Sequence, residues 1–195
     1  MITDIFHIEE VIFYFLNTKR NTLLNLVLPL FSKASFIYLY YFILAIFLGF
    51  LWYRKSILSW KKFFILVSIL IVGFLVSDFS CARIWKPVFH RGRPYTQLPN
   101  VYYYNKGKFI FLEEPLKDKK TLSFPSCHAS NASFASTYLS LFMKSFTLPS
   151  FLFVFLVCYS RIYLGHHYPL DVLCGMLWGI FLAWVIYRYA KKVLV

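Results

Sequence analysis

Residues 36–53 run for 18 positions without a charged side chain, and residues 63–82 run for 20 with only Asp78. A helix rises about 1.5 Å per residue, so roughly 20 apolar residues cross the hydrocarbon core of a bilayer. Two further uncharged runs, 146–160 and 172–187, extend into 148–164 and 168–188. Residues 129–143, rich in Ser, Ala and Phe, read as a span that faces other helices. Only 15% of the chain is charged and 59% is hydrophobic. A soluble domain carries about 25% charged residues, so lipid is the expected solvent. The expected fold is all-α: a polytopic membrane helical bundle of five or six transmembrane helices, forming one domain over residues 1–195. At the N-terminus, residues 5–16 and 23–31 are apolar but short, and the polar stretch 17–21 parts them. Residues 1–33 therefore stay open between an interfacial helix, a re-entrant pair and one broken span. No secretory signal peptide is read in residues 1–30.

The net charge of +13 lies between the apolar runs. Such a value fits nucleic acid only when it sits on a soluble basic domain, so no nucleic-acid partner is expected. Arg54, Lys55, Lys61 and Lys62 fill one short connection, Lys144 another, and Arg188, Lys191 and Lys192 lie near the end. Folding the spans back and forth puts all of these on one face, the cytoplasmic one under the positive-inside rule. The long polar segment 83–125 and the turn near 165–168 then share the opposite face. Trp52, Tyr53, Trp60 and Trp85 read as interface anchors. Asp78 is expected to pair with Arg83 or Lys86. Cys81, Cys127, Cys158 and Cys174 show no metal-ligand spacing, and those in or near spans read as small buried hydrophobes.

Three segments on the long-loop face carry chemistry. Residues 86–94 hold Lys86, Arg91, Arg93 and Pro94; residues 124–128 read Phe-Pro-Ser-Cys-His; residues 160–171 hold Ser160, Arg161, His166, His167 and Asp171. Lys86, Arg93 and Arg161 are cations beside a membrane, where burial is costly without an anion. An Arg fork matches phosphate, and Lys adds a point charge. Ser126 precedes a span whose free N–H groups also attract an anion. Asp171, four residues after His167, can fix one imidazole nitrogen and leave the other free to attack. His128 is placed to act as general acid. Arg91, His90 and His166 have no required part in this pattern. The His and Asp set fits phosphate chemistry and not zinc; neither metal nor cofactor is expected.

These segments resemble the signature of the type 2 phosphatidic acid phosphatase superfamily: Lys, six residues, Arg-Pro; Pro-Ser-Gly-His; Ser-Arg, five residues, His, three residues, Asp. Every fixed position is met except one, where Cys127 replaces Gly. The resemblance implies His167 as nucleophile, Asp171 as its orienter and His128 as acid. It implies that Lys86, Arg93, Ser126, Arg161 and the Cys127 backbone hold phosphate. The implied activity is metal-independent hydrolysis of a lipid phosphate through a phosphohistidine. The leading substrate is lipid A 1-phosphate, with undecaprenyl pyrophosphate, phosphatidylglycerol phosphate and phosphatidic acid as alternatives. The expected location is a bacterial inner membrane, with the site facing the periplasm. Two rivals remain: a non-catalytic anionic-lipid binder or transporter, which needs the cations but not the histidines, and a phosphotransferase with an acceptor other than water.

Overall fold

The computed structural model describes residues 2–54, 59–116 and 121–194. Two helices, α1 (Ile2–Thr18) and α2 (Thr22–Phe31), flank the polar break read at residues 17–21. Asn21 caps α2 by accepting the N–H groups of Leu23 and Leu24 at 2.8 and 3.4 Å. The open reading of the N-terminus thus resolves into two short helices. α1 lays Glu9, Phe13 and Asn17 against the rest of the chain, all three buried and four residues apart on one helical face.

α3 (Ala34–Arg54) and α4 (Trp60–Phe79) come next. α4 continues through a π-helical turn, Ser80–Trp85, into the short α5 (Lys86–Phe89). After α6 (Pro94–Gln97), β1 (Val101–Asn105) and β2 (Lys108–Leu112) form an antiparallel hairpin. Lys106 and Gly107 at its tip have φ of 47° and 87°, as a two-residue turn of the twist-matched kind needs. Then come α7 (Cys127–Phe142), α8 (Thr147–Tyr163) and α9 (Pro169–Leu194). The long loop is therefore largely structured, although its residues 117–120 lie outside the described ones.

Among the described residues, four helical segments are long and apolar enough to cross a membrane: Ala34–Leu51, Trp60–Phe89, Lys144–Tyr163 and Pro169–Lys192. Outward they present large apolar side chains such as Phe42, Phe64, Leu75, Phe155, Leu177 and Trp184, which suits a lipid belt. α7 is shorter and wholly buried from Ala129 to Ser140. It is the axis of the bundle, and its Ser and Ala residues let neighbours approach its backbone. α9 uses this through Gly175 and Gly179, where an added Cβ would overlap the carbonyls of Ser126 and Ser130. Serine hydroxyls tie the helices further: Ser77 Oγ lies 2.8 Å from Ser130 Oγ and donates to Asn131 Oδ1 at 2.8 Å.

Two expectations are corrected. Asp78 takes its bond from Asn131 Nδ2 at 2.8 Å, across the α4–α7 contact, and not from Arg83 or Lys86; the two helices pack closely enough for a neutral amide to reach it. Cys81 and Cys127 are not buried hydrophobes but a disulfide, with Cα atoms 5.5 Å apart. Of the proposed anchors, Tyr53 and Trp60 pack together with tilted rings, centroids 5.1 Å apart, while Trp85 packs on Trp178. The side chain of Trp52 lies outside the described residues.

Candidate active site

The three segments do converge. The π-helical turn Ser80–Trp85 ends where Lys86 begins, so it sets where around the helix axis that side chain emerges. Lys86 Nζ and Arg93 Nε both donate to the carbonyl of Leu122, at 2.9 and 3.2 Å. Arg161, buried in the last turn of α8, donates through Nη1 to the Ser32 hydroxyl, while its Nε is buried without a partner. Among the described residues these three cations bond to neutral groups, and no carboxylate pairs with them. Clustered positive charge with spare donors is a site waiting for an anion.

Ser126 is the N-cap of α7; its Oγ faces Ala129 N at 3.5 Å and its own N–H donates to the Asp171 carbonyl at 2.9 Å. Cys127 follows as the first residue of α7, its side chain drawn away to Cys81 by the disulfide. His128 bonds to the backbone of Ser32 and stands within the field of Arg161, Arg93 and Lys86.

Asp171 is fully buried in the first turn of α9. Its Oδ2 accepts the Tyr168 N–H at 2.8 Å and the hydroxyl of Ser123, and lies 3.5 Å from His167 Nδ1. Ser123 Oγ is also 3.3 Å from that nitrogen. With Nδ1 on this side, Nε2 is the nitrogen left for an incoming ligand. Burial first, then the charges of Arg93 and Arg161, hold the His167 imidazole well below its ordinary pKa. Burial does the same to His166, again aided by Arg161 and Arg93. His167 therefore rests as a neutral imidazole, the form that has a lone pair to give. His166 packs edge-on to Tyr95 and Tyr103, with Nδ1 3.4 Å from Arg93 Nη1.

Four residues enter the site that the sequence pattern does not require. Arg91 Nη1 donates to Asp171 Oδ1 at 2.9 Å, and the same guanidinium pairs with Glu9. Arg91, which the signature does not require, thus bonds the carboxylate that lies 3.5 Å from His167 Nδ1. Glu9 comes from α1, is 3% exposed, and also accepts the Leu170 N–H at 2.8 Å. Ser123 and Ser32 supply the other two contacts. A signal exists for Glu9 together with its neighbour Glu10, namely two acids inside the apolar run 5–16, where ionisable groups seldom sit idle. Among the described residues no three His, Cys, Asp or Glu side chains gather to hold a metal; the donors on offer suit an anion.

The model of the family described as the PAP2 superfamily matches residues 61–194. A lipid A 4'-phosphatase of Bacteroides thetaiotaomicron is 39% identical over 71 residues, which cover 35% of this chain and 32% of that one. A lipid A 4'-phosphatase of Porphyromonas gingivalis is 26% identical over 199 residues, covering 96% of this chain and 76% of that one. Among solved structures, Aquifex aeolicus LpxE superposes with a TM-score of 0.63 at 27% identity, covering 91% and 93% of the two chains. A PAP2-type phosphatidylglycerolphosphate phosphatase of Bacillus subtilis gives 0.64 at 22% identity, covering 97% and 88%, and shares the fold.

Proposed function

Since this chain belongs to the PAP2 superfamily, we propose that it is a membrane phosphatase that hydrolyses a phosphomonoester of lipid A through a phosphohistidine. The observation that carries this reading is the neutral His167 imidazole, held by Ser123 and Asp171 beside three cations that pair with no carboxylate among the described residues. The two lipid A phosphatases among the relatives favour the glycolipid class. Undecaprenyl pyrophosphate and phosphatidylglycerol phosphate remain the alternative substrates. An apolar groove of about 710 Å³ between α3 and α4, lined by side chains including Tyr38, Phe42, Leu70 and Phe74, suits an acyl chain. Its lining reaches Ser35, three residues beyond the partner of Arg161.

In the first step the Nε2 lone pair of His167 attacks phosphorus. A P–N bond forms, the P–O bond to the lipid breaks with its electron pair on oxygen, and His128, which burial and the charges of Arg161, Arg93 and Lys86 keep neutral until bound phosphate offsets those charges and lets it take up a proton, gives that oxygen the proton. Lys86, Arg93, Arg161 and the N–H groups at the start of α7 bind the oxygens of the transferring phosphoryl group. In the second step water attacks phosphorus and gives a proton to His128. The P–N pair returns to Nε2 and inorganic phosphate leaves.

The proposed location is an inner membrane with this site on the periplasmic side. The disulfide Cys81–Cys127 lies at the site itself, and disulfides persist in oxidising compartments such as the periplasm. The basic ends of α3 and α9 fall on the opposite side, as cytoplasmic anchors do.

The test is phosphate release by the purified, detergent-solubilised protein from lipid A bisphosphate, undecaprenyl pyrophosphate, phosphatidylglycerol phosphate and phosphatidic acid. Lipid A should turn over fastest, and mass spectrometry of the product should show one phosphate lost. His167→Ala should abolish release while keeping lipid binding. Binding without release by the wild type would make the chain a lipid binder instead.

A further inference from the structure

Asp171 is not the end of the chain of charges behind His167. Its Oδ1 is bonded to Arg91, and Arg91 is bonded in turn to Glu9, which arrives from a helix outside the span matched by the family model. Glu9 has no solvent to satisfy it: both its oxygens meet Arg91, and Oε1 also accepts the Leu170 N–H at 2.8 Å, one residue before Asp171. The Arg91 guanidinium lies over the Tyr168 ring, 4.0 Å from its centroid. Tyr168 supplies the N–H that fixes Asp171 Oδ2. Arg91 is thus clamped on one side by a carboxylate, on another by a ring, and offers one Nη1 hydrogen to Asp171.

We infer that Glu9 is a positioning residue for the reaction: it neutralises and orients Arg91, so that Arg91 fixes Asp171 without drawing off the negative charge that His167 depends on. This rests on His167 being the nucleophile. The charge logic is direct. Asp171 alone beside a free Arg91 would form a neutral pair, with little charge left to hold an Nδ1 proton. With Glu9 present the trio carries one net negative charge, and that charge faces the imidazole through Oδ2. The same trio must work against the cations on the other side of His167, namely Lys86, Arg93 and Arg161, with His166 and His128 beside them.

The signature is a set of opposed shifts that a merely structural contact does not produce. Glu9→Gln leaves Arg91 uncompensated and should lower the imidazole pKa of His167. Arg91→Gln leaves two carboxylates and should raise it. Each shift should be on the order of one pH unit for a unit charge near a buried site. The double variant Glu9→Gln/Arg91→Gln should return toward wild type, because the net charge is restored. Two readouts separate the layers of the argument. Histidine labelled with ¹³C and followed by NMR in detergent, assigned with His167→Asn, reports the titration whether or not the protein turns over. The acid limb of kcat/KM for p-nitrophenyl phosphate reports the same group in catalysis. Opposed shifts that cancel in the double variant support the inference. A His167 titration that stays put in all three variants, or moves the same way in both single ones, overturns it, even where activity falls. A wild type that releases no phosphate from any ester, with the NMR shifts intact, removes the phosphatase reading and leaves the electrostatic coupling standing.

Discussion

His167 Nδ1 and Asp171 Oδ2 stand 3.5 Å apart, and the Ser123 hydroxyl sits against both. The natural proton arrangement has Nδ1–H donating to Ser123 Oγ and Ser123 O–H donating to Asp171. Ser123→Ala should then lower kcat by roughly 3–10-fold, the worth of one hydrogen bond, because the carboxylate can still close on the ring. Asp171→Asn should cost on the order of 100-fold or more, since an amide no longer stabilises the imidazolium-like charge and admits the wrong tautomer. Steady-state phosphate release from p-nitrophenyl phosphate measures both. Equal losses in the two variants would mean that Ser123, not Asp171, holds the nucleophile.

In the proposed reaction His128 protonates the leaving oxygen, so its importance should follow how badly the leaving group needs a proton. His128→Ala should impair a lipid alkyl phosphate by about 100-fold or more, and an activated aryl phosphate by about tenfold or less. Side-by-side kcat/KM values decide. Equal damage to both substrates would make His128 a phosphate ligand only.

The buried neutral histidines also predict how stability depends on pH. Both His166 and His167 have pKa values held below the ordinary one, chiefly by burial. Above pH about 6.5 the imidazoles are neutral in the folded and unfolded chains alike, and stability is undiminished. As pH falls below that value the unfolded chain binds protons that the folded one refuses, so stability drops until the depressed folded values are reached. Thermal unfolding of the purified protein in detergent, from pH 8 to 5, should show a falling Tm below pH about 6.5. His166→Phe, which keeps an aromatic ring among Tyr95 and Tyr103, should flatten that fall. An unchanged slope in the variant would remove His166 from the account.

Some of this arrangement was open to a reader of the sequence, and the reason is helical geometry. His167 and Asp171 are four apart at a helix start; Lys86 with Arg93, Ser126 with His128, and Arg161 with His167 each fall within a few residues at the end of an apolar run. Local offsets of that kind survive in one dimension. Glu9, Ser32 and Ser123 carry no such offset, because each meets its partner across a gap set by packing: 82 residues from Glu9 to Arg91, and 129 from Ser32 to Arg161. The pairing of Cys81 with Cys127 depends on how the π-helical turn after α4 lies against the start of α7, which periodicity cannot give. The hairpin was within reach: two aromatic-rich strands flank Asn105-Lys106-Gly107-Lys108, a recognisable turn.

Gly175 lies where α9 crosses the start of α7, with no room for a side chain before the Ser126 carbonyl. That peptide also carries the Ser126 N–H bonded to the Asp171 carbonyl. Gly175→Ala must therefore part the two helices at the point where His128 and Asp171 are held in register. Stability should fall by about 1–3 kcal/mol, the usual cost of overpacking, and kcat should fall more than KM changes. Gly107→Ala, at the hairpin tip where a Cβ meets nothing within 4 Å, provides the contrast; its cost comes from positive φ alone. Similar losses of kcat in both would mean that the α7–α9 contact is not what sets the site.

The disulfide closes a separation of 46 residues between the π-helical turn that follows α4 and the first turn of α7. By chain entropy, a loop of that length contributes about 4 kcal/mol. Cys127 also occupies the one signature position where the family has Gly, so the cross-link and the proposed phosphate-binding loop share a residue. Two effects can be separated by restoring the family residue. Cys81→Ala/Cys127→Gly keeps the backbone N–H at position 127 and removes only the tether. Its Tm should fall by several degrees, while kcat at a temperature well below that Tm should stay within about threefold of wild type if the N–H alone serves phosphate. The same bond gives a topological reading. Expressed in cells whose periplasm oxidises thiols, the protein should show Cys81 and Cys127 linked and only Cys158 and Cys174 free on mass spectrometry after alkylation without reductant. In cells lacking periplasmic thiol oxidation the pair should be alkylated. A single cysteine placed at Lys106 on the hairpin tip, in a background without the native four, should label in intact cells with a membrane-impermeant reagent. Free thiols at 81 and 127 in the oxidising strain, together with labelling at 106 only after the inner membrane is opened, would put the site on the cytoplasmic side.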